Sequence, residues 1–276
     1  MYRRVLTMQD ISCVGQCSIT VALPILSACG VETCVLPTAL LSTHTGGFGS
    51  PAVVHFDGAL KEICRHWQEN GITFDAVLVG YLGSAAAVEA AGEILDGLLA
   101  PGGVAIVDPA MADHGKLYSG FDDSYVRAIT SLTQRADIIL PNITEAAILS
   151  GLPYQEKTTE HYVNSLLEGL DHPCVVLTGV DFAENRTGVI LRENGMQRAY
   201  SHKRVEKSCH GTGDIFAAVF TGALMQGKSR FDGVKIAADF TCRCVENTQR
   251  NPAHWYGVRF EPLLGELTRT LGQQGE

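Results

Sequence analysis

Short apolar runs alternate along the chain with longer segments of helical spacing. The runs that we expect to be strands are 5–8, 33–41, 76–82, 104–108, 137–141 and 174–179. The segments that we expect to be helices are 16–29, 58–69, 84–99, 122–134, 143–150, 159–170, 214–227, 229–246 and 261–271. Strands that are apolar on both faces are typical of parallel sheets covered by helices on both sides. The pattern therefore predicts an α/β fold with a mainly parallel, doubly wound central sheet.

One segment departs from this alternation. Residues 188–201 contain two strand-like halves around Asn194 and Gly195, and Asn-Gly is a strong signal for a tight hairpin turn. We expect a small antiparallel hairpin at the edge of the sheet. Because the chain contains no Pro-, Gly- or Ser-rich linker, residues 1–276 are predicted to form a single domain.

The composition of the chain argues against some classes of function. The chain has 276 residues, 46% of them hydrophobic, and a formal net charge of −9. Such an acidic chain is a poor general binder of nucleic acid, so any phosphate must be held locally by helix N-termini, backbone N–H groups or a metal. No segment has the roughly 18 uninterrupted apolar residues that a membrane span requires. The nine cysteines include no CxxC pair and most lie in apolar runs, which favours buried free thiols in a reducing compartment, and we expect a cytoplasmic protein.

Polar residues follow nearly every predicted strand. In open α/β sheets, ligands bind beyond the carboxyl ends of the strands, so these residues are expected to share one rim. Each one alone has an ordinary structural explanation, such as a helix cap, but their number at one rim favours a phosphate and metal site. Mg²⁺ prefers oxygen ligands, and its candidate ligands are Asp108, Asp113 and Glu145. The other candidates at strand ends are Asp10, Thr45, Gly46, Tyr81, Asn142, Thr178 and Gly179.

The segment 211-GTGD-214 precedes the apolar run IFAAVF, which predicts a buried helix with an acid at its start. A helix N-terminus presents unpaired N–H groups, and glycines let a ligand approach the backbone closely. Gly211, Thr212 and Gly213 could therefore form an anion hole for a phosphoryl group. Asp214 beside it could accept the proton of an attacking hydroxyl. The alternative is that Asp214 is an ordinary acid of a first helical turn.

A second motif, 222-GALMQGKS-229, matches the phosphate-binding pattern GxxxxGK[ST]. That loop needs a preceding strand and a flexible backbone. Here the intervening residues are good helix formers that continue the run from Ile215. We expect the end of a helix, with Gly227 just past its last turn and Ser229 as the cap of the next helix.

The motifs together resemble a known family. GTGD at the start of a buried helix resembles the signature of the ribokinase-like superfamily, and the motif order resembles the pyridoxal/pyridoxamine kinase family. The matching pieces span most of the chain and are VLTMQD (5–10), STHTG (42–46), GYLGS (80–84), DPAMAD (108–113), PNITE (141–145) and GTGD. This resemblance implies ATP-dependent phosphorylation of the 5′-hydroxymethyl group of a vitamin B6 compound by a homodimer.

The resemblance also implies roles for single residues. Asp214 would be the base and Gly211–Gly213 the anion hole. ATP and Mg²⁺ would be held by Asp108, Asp113, Asn142, Glu145, Thr178 and Gly179, and a monovalent cation could be required. The vitamer would be held by Asp10, Thr45, Gly46 and Tyr81. For the adenine we expect the region near Asn247 and Pro252.

Three departures from the family pattern leave alternatives open. Asp10 stands where a serine is common, and its carboxylate could pair with the amine of pyridoxamine. Ala112 replaces a frequent glycine. His210 gives HGTG, which looks like kinases for hydroxymethylpyrimidine, although those usually have cysteine at the position of Asp214. The alternatives are therefore a hydroxymethylpyrimidine or other small-alcohol kinase, and a non-catalytic binder of pyridoxal phosphate or ATP.

Overall fold

The computed structural model describes residues 2–205, 209–251 and 253–272. Its first half forms β1 (Arg4–Ser12), α1 (Ile19–Ala28), β2 (Glu32–Leu41), β3 (Val53–His55), α2 (Asp57–Glu69), β4 (Phe74–Val79), α3 (Ala85–Gly97) and β5 (Leu99–Val107). The middle forms β6 (Ala112–Asp113), β7 (Lys116–Leu117), α4 (Asp123–Thr133), β8 (Ile138–Ile139), α5 (Ile143–Ser150) and α6 (Glu160–Gly169). The last part forms β9 (Cys174–Ala183), β10 (Arg186–Glu193), β11 (Met196–Lys203), α7 (Thr212–Met225), α8 (Arg230–Gln249), a 3₁₀ turn (Glu261–Leu263) and α9 (Leu264–Gly272).

The strands form one nine-stranded sheet in the order β11-β10-β9-β8-β5-β4-β1-β2-β3. The strands from β2 to β9 in this order pair in parallel, and the strands at both edges run antiparallel to their neighbours. Helices α2–α6 pack on one face, and helices α1, α7, α8 and α9 pack on the other. The predicted mainly parallel, doubly wound sheet is therefore confirmed.

The predicted edge hairpin is confirmed too. Strands β10 and β11 pair from Arg186 and Lys203 to Glu193 and Met196. Asn194 and Gly195 connect them with φ angles of 50° and 79°, the left-handed conformation that a two-residue hairpin turn of this kind requires.

Several boundaries differ from the sequence-based expectation. Helix α1 begins at Ile19 rather than at residue 16, because residues 13–18 form a loop that crosses the rim of the sheet. Strand β3 and the β6–β7 pair were not predicted, since two or three residues are too few to show a hydrophobic period.

The GALMQGKS segment does not form a phosphate-binding loop. Its first four residues are the last turn of α7, and Gly227 follows the helix with a φ of 77°. The Ser229 side chain accepts a hydrogen bond from the Asp232 N–H and so caps α8, as expected.

The remaining expectations concern cysteines and membranes. All nine cysteines are free thiols, but only Cys29, Cys64, Cys174 and Cys244 are buried, so the thiols are more accessible than their apolar surroundings in the sequence suggest. Among the described helices, none has the length and apolar character needed to cross a bilayer.

The chain order changes direction in the middle of the sheet. Strand β1 lies between β2 on one side and β4 on the other, which makes the carboxyl ends of β1 and β4 the switch point of the topology. Crevices at such points are where open α/β sheets bind ligands. Asp10 lies within the last residues of β1, and Tyr81 follows β4 by two residues.

Candidate active site

Asp10 and Tyr81 lie side by side at the switch point. The Asp10 N–H donates to the Tyr81 carbonyl oxygen at 3.1 Å, and the Ser12 hydroxyl donates to Oδ2 of Asp10 at 3.0 Å. Asp10 is only 2% exposed, and burial raises the pKa of its carboxyl group. Burial, followed by the nearby charge of Asp10, raises the pKa of the Tyr81 phenol to about 12. The Tyr81 ring stacks on Phe121, with centroids 5.4 Å apart.

The N-terminus of α7 opens toward this switch point. Gly211 precedes the helix with a φ of 87°, and no side chain caps the helix start. A Cβ atom at Gly211 would lie 2.2 Å from the carbonyl oxygen of Gln16, so only glycine fits there. Gly213, in the first turn, is exposed. No side chain therefore occupies the first N–H groups of α7, and an anion hole there stays a prediction of the GTGD motif.

Asp214 occupies the first turn of α7. Burial raises the pKa of its carboxyl group to about 6, although the nearby backbone N–H of Ser18 lowers that pKa, and the negative charge of Asp10 raises it. The residue is only partly buried, so a ligand can reach it. An acid with a pKa this close to neutral is well suited to accept and release a proton.

Asp108 lies directly across from the start of α7. Its Oδ1 accepts a hydrogen bond from the Ala110 N–H at 3.1 Å, and its Oδ2 would be 3.8 Å from a Cβ atom at Gly213. Burial, then the charges of Glu145 and Asp214, raise the pKa of Asp108 well above its usual value. Asp108 is thus repelled by both Glu145 and Asp214, and a cation beside Asp108 would relieve that repulsion.

Glu145 and Asn142 form the capping box of α5. The Asn142 side chain accepts from the Glu145 N–H at 3.0 Å, and Oε2 of Glu145 accepts from the Asn142 N–H at 2.9 Å. Oε1 of Glu145 also accepts from the Met111 N–H at 3.0 Å. Burial raises the pKa of Glu145 to about 7 although these hydrogen bonds lower it. Both Glu145 oxygens thus accept hydrogen bonds from the backbone, which fixes the orientation of the carboxylate at the rim.

Asp113 is the least enclosed of the candidate metal ligands. Asp113 is exposed, and its Oδ2 lies 3.5 Å from Nε2 of His114. Its negative charge raises the pKa of Glu145, but less than burial does. Across residues 2–205, 209–251 and 253–272, no group of three or more His, Cys, Asp or Glu side chains is gathered closely enough to hold an ion alone. Mg²⁺ usually takes only one or two carboxylates, with water and substrate phosphates as further ligands. Asp108, with one oxygen free of described protein donors, fits that limited role best.

The two candidates on β9 adjoin Asn142. Asn142 and Thr178 form a parallel bridge, and the Thr178 N–H donates to the Pro141 carbonyl oxygen at 3.0 Å. Gly179 is exposed and has a φ of 72°, with open space around its Cα. These residues border the rim that holds Asp108 and Glu145.

In the loop 42–50, Gly46 contacts the residue that precedes the GTGD motif, whereas Thr45 is exposed. A Cβ atom at Gly46 would lie 2.3 Å from the His210 ring, so this loop packs against the residue that precedes GTGD. The Gly46 N–H donates to Nδ1 of His44 at 3.0 Å, and Nε2 of His44 lies 2.9 Å from the Tyr256 carbonyl oxygen. Thr45 is exposed on this loop.

Two expectations for the adenine region stay untested. Asn247 lies on α8, where its side-chain amide donates to the Arg259 carbonyl oxygen at 2.9 Å. Pro252 lies outside the described residues.

The structure adds residues that the sequence patterns missed. Ser18 lies close enough to Asp10 and Asp214 to lower the pKa of both carboxyl groups. Burial, followed by the charge of Glu145, raises the pKa of Tyr118. A serine just before an apolar helix is visible in the sequence, but it predicts only a helix cap. Tyr118 follows β7, a strand of two residues that the sequence did not predict, and it belongs to no motif, so no pattern distinguishes it.

Comparison with known proteins identifies the family of the chain. The model of the phosphomethylpyrimidine kinase family matches residues 19–258. The chain is 34% identical to a pyridoxal kinase from Lactobacillus plantarum, whose crystal structure superposes with a TM-score of 0.89 over 100% of both chains.

Two further relatives are a kinase of B6 vitamers and a kinase of hydroxymethylpyrimidine. A pyridoxine/pyridoxal/pyridoxamine kinase from Bordetella bronchiseptica is 27% identical over 89% of each chain. A hydroxymethylpyrimidine/phosphomethylpyrimidine kinase from Bacillus subtilis is 30% identical over 52% of this chain and 54% of its own. The chain belongs to the phosphomethylpyrimidine kinase family and, within the ribokinase-like superfamily, to the vitamin B6 kinases, which makes it a phosphotransferase with an alcohol acceptor.

Proposed function

We propose that this enzyme transfers the γ-phosphoryl group of ATP to the 5′-hydroxymethyl group of pyridoxal, pyridoxamine and pyridoxine. The observation that carries this proposal is Asp214, a partly accessible acid in the first turn of the uncapped helix α7. The reaction would supply pyridoxal 5′-phosphate by salvage, either directly or after oxidation of the phosphorylated product. The homodimer, the cytoplasmic location and a monovalent-cation requirement stay predictions of the family resemblance.

In this mechanism Asp214 directs the hydroxyl group of the vitamer. With a pKa of about 6, its carboxyl group is mostly ionised at neutral pH and still basic enough to accept a proton as the hydroxyl attacks. The apolar helix behind it fixes its position, because Ile215 and the residues that follow are buried in the core.

The start of α7 stabilises the charge of the group being transferred. Gly211, Thr212 and Gly213 would direct their N–H groups at the phosphoryl oxygens, in the direction that the helix dipole also favours. The glycines keep side chains out of the space that the phosphoryl group needs.

The phosphates of ATP would lie along the rim between α7 and α5. Asp108, Asn142, Thr178 and Gly179 border this rim, and Mg²⁺ would be held by Asp108 with Asp113 and Glu145 in supporting positions. When bound, Mg²⁺ supplies positive charge that neutralises the phosphate oxygens. The repulsion of Asp108 by Glu145 and Asp214 supports a cation at this place.

The vitamer would lie at the switch point, between Asp10, Tyr81 and the loop that carries Thr45 and Gly46. The buried Asp10 carboxylate would pair with the amine of pyridoxamine, which makes pyridoxamine a good substrate in this proposal. Tyr81, stacked on Phe121, would form an aromatic wall beside the pyridine ring.

Hydroxymethylpyrimidine is the second candidate substrate. The observation in its favour is His210, whose ring packs against Gly46 and gives the HGTG sequence. A pyrimidine with a hydroxymethyl group presents the same acceptor to Asp214. A catalytically inactive binder is less compatible with Asp214, Asp108 and the open start of α7 lying together.

The test is a panel of acceptors assayed for ATP consumption by the folded protein. The acceptors are pyridoxal, pyridoxamine, pyridoxine and hydroxymethylpyrimidine, and each is compared by kcat/KM. We expect turnover of the three B6 vitamers that exceeds turnover of hydroxymethylpyrimidine. Preference for hydroxymethylpyrimidine would support the second candidate, and absence of turnover with all four would contradict both kinase proposals.

A further inference from the structure

His44 lies buried among the loops that surround the switch point. The residue is only 4% exposed, and its N–H donates to the Val14 carbonyl oxygen at 3.2 Å. A Cβ atom at Gly15 would lie 2.1 Å from Cδ2 of the His44 ring. The rings of His44 and His210 lie with their centroids 5.0 Å apart. His44 therefore contacts both the loop before α1 and the residue that precedes the GTGD motif.

The two ring nitrogens of His44 have different partners. The Gly46 N–H donates to Nδ1 at 3.0 Å, so Nδ1 carries no hydrogen. Nε2 lies 2.9 Å from the Tyr256 carbonyl oxygen, which can only accept a hydrogen bond, so Nε2 carries the hydrogen. Both contacts therefore require the same neutral tautomer of the imidazole, with its hydrogen on Nε2.

The segment 254–257, which accepts the bond from Nε2, also packs on the neighbouring loops. The rings of Trp255 and Phe48 have centroids 4.7 Å apart. Gly257 and Gln16 form a parallel bridge between their backbones. The hydrogen bond from the imidazole thus joins two parts of the chain that already pack together through aromatic rings.

We propose that His44 is a positioning residue that holds the loop 42–50 in the conformation needed to bind the vitamer. One ring nitrogen fixes the backbone at Gly46, and the other attaches the loop to Tyr256. This inference rests on the proposed function, because it requires that Thr45 and Gly46 contact the vitamer. Since both ring nitrogens contact backbone groups of the protein, His44 acts through the loop and not by touching the substrate.

Amide side chains can separate the two hydrogen bonds of His44. In His44→Asn, the side-chain oxygen can still accept from the backbone N–H two positions later, as in an Asx turn. In His44→Gln, the longer side chain carries an amide nitrogen that can donate toward the Tyr256 carbonyl group. His44→Ala removes both hydrogen bonds.

The chain offers a matched control in His172. This histidine is 7% exposed, and its two ring nitrogens each lie 2.9 Å from a backbone carbonyl oxygen, those of Cys174 and Ala136. His172 precedes β9 and so lies at the amino ends of the strands, opposite the rim that carries the candidate site. His172→Ala therefore removes a buried, hydrogen-bonded imidazole without disturbing the loop 42–50.

The experiment measures the Kd for pyridoxal and for ATP by calorimetry, together with kcat at saturating substrate. We expect His44→Ala to raise the Kd for pyridoxal about tenfold, as for loss of two hydrogen bonds, and His44→Asn and His44→Gln to raise it about threefold each. The Kd for ATP should stay unchanged, because the proposed ATP residues lie on other elements. The kcat should change by less than about threefold, because Asp214 stays in place.

His172→Ala should lower the midpoint of urea unfolding and leave the Kd for pyridoxal unchanged. A Kd for pyridoxal that stays at the wild-type value in His44→Ala, or that rises equally in His172→Ala, would overturn the proposal. Should His44→Ala fail to fold, unchanged Kd values in both His44→Asn and His44→Gln would overturn it in the same way.

The tautomer of His44 can be tested without turnover. Two-dimensional NMR of protein labelled with ¹⁵N in its histidine rings distinguishes protonated from unprotonated ring nitrogens, and the His44 signals are those missing from His44→Asn. In mildly alkaline buffer we expect the hydrogen on Nε2. A hydrogen on Nδ1 would contradict the contacts on which the inference is based. Binding of pyridoxal by the wild type without turnover would contradict the proposed kinase function alone, and absence of binding would contradict both proposals.

Discussion

At the scale of single residues, Gly211 connects the loop 13–18 to the start of α7. Its φ of 87° turns the chain into the helix, and its Cα lies against the Gln16 carbonyl group. A side chain at this position would therefore displace the loop that also carries Ser18. The anion hole and the loop beside Asp10 depend on one glycine.

We predict that Gly211→Ala lowers kcat at least tenfold and destabilises the protein by more than the about 1 kcal/mol expected for alanine at positive φ. The matched control is Gly227→Ala, which has a φ of 77° but nothing within 4 Å of the added Cβ atom. The control should lose only that stability and keep its kcat. Steady-state kinetics and urea unfolding of both variants measure the difference. Equal kcat values for the two variants would contradict a role of Gly211 in the active site.

At the scale of elements, the capping box of α5 joins the motif 108–113 to the motif 141–145, through a bond between residues that are 30 positions apart. The Asn142 side chain caps α5 through its oxygen and donates through its nitrogen to the Ala112 carbonyl oxygen at 2.8 Å. Glu145 completes the connection by accepting from the Met111 N–H. The start of α5 thereby positions the loop that contains Asp108.

We predict that Asn142→Ala costs about 1 kcal/mol of stability, the usual cost of losing an N-cap, and in addition raises KM for ATP. Asp122→Ala is the matched control, because Asp122 caps α4 through the Ser124 and Tyr125 N–H groups away from the acidic rim. The control should lose similar stability and leave KM for ATP unchanged. Parallel changes in KM in both variants would show that the effect is one of stability alone.

The elements also show which features of the chain are predictable from sequence. The parallel core and the hairpin at Asn194 follow from apolar runs and a turn signal, which are local properties of the chain. The candidate acids follow from the rule that strand ends share a rim. The left-handed conformation of Ser18 does not, because it accompanies a backbone bridge to Ile11 that no local pattern indicates. The exposed strand β3 is too short to carry a pattern.

At the scale of the whole molecule, both layers of helices pack on the same strands. The cluster with α2–α6 uses the side chains of one face of the sheet, and the cluster with α1, α7, α8 and α9 uses the other. The same strands are thus covered by one layer of helices on each face. Unfolding of either layer would expose one face of strands that still pack against the other layer. This arrangement supports the prediction of a single domain.

We predict one cooperative unfolding transition in urea. Trp67 on α2 packs against Phe74 at a centroid distance of 5.5 Å and reports on one layer. Trp255→Phe leaves Trp67 as the only tryptophan, and its fluorescence can be compared with far-UV circular dichroism, which reports on both layers. The two curves should coincide. Midpoints that differ clearly would show two units that unfold independently.

The central claim is that Asp214 accepts the proton of the vitamer's hydroxyl group. The alternative hypothesis is that Asp214 is an ordinary acid of a first helical turn. The most direct test is kcat for phosphorylation of pyridoxal by the wild type, Asp214→Asn and Asp232→Asn. Asp232 is the control, because it is a first-turn acid of α8 on the protein surface. We expect Asp214→Asn to lower kcat at least about a hundredfold and Asp232→Asn to leave it unchanged. Near-normal turnover by folded Asp214→Asn would contradict the account.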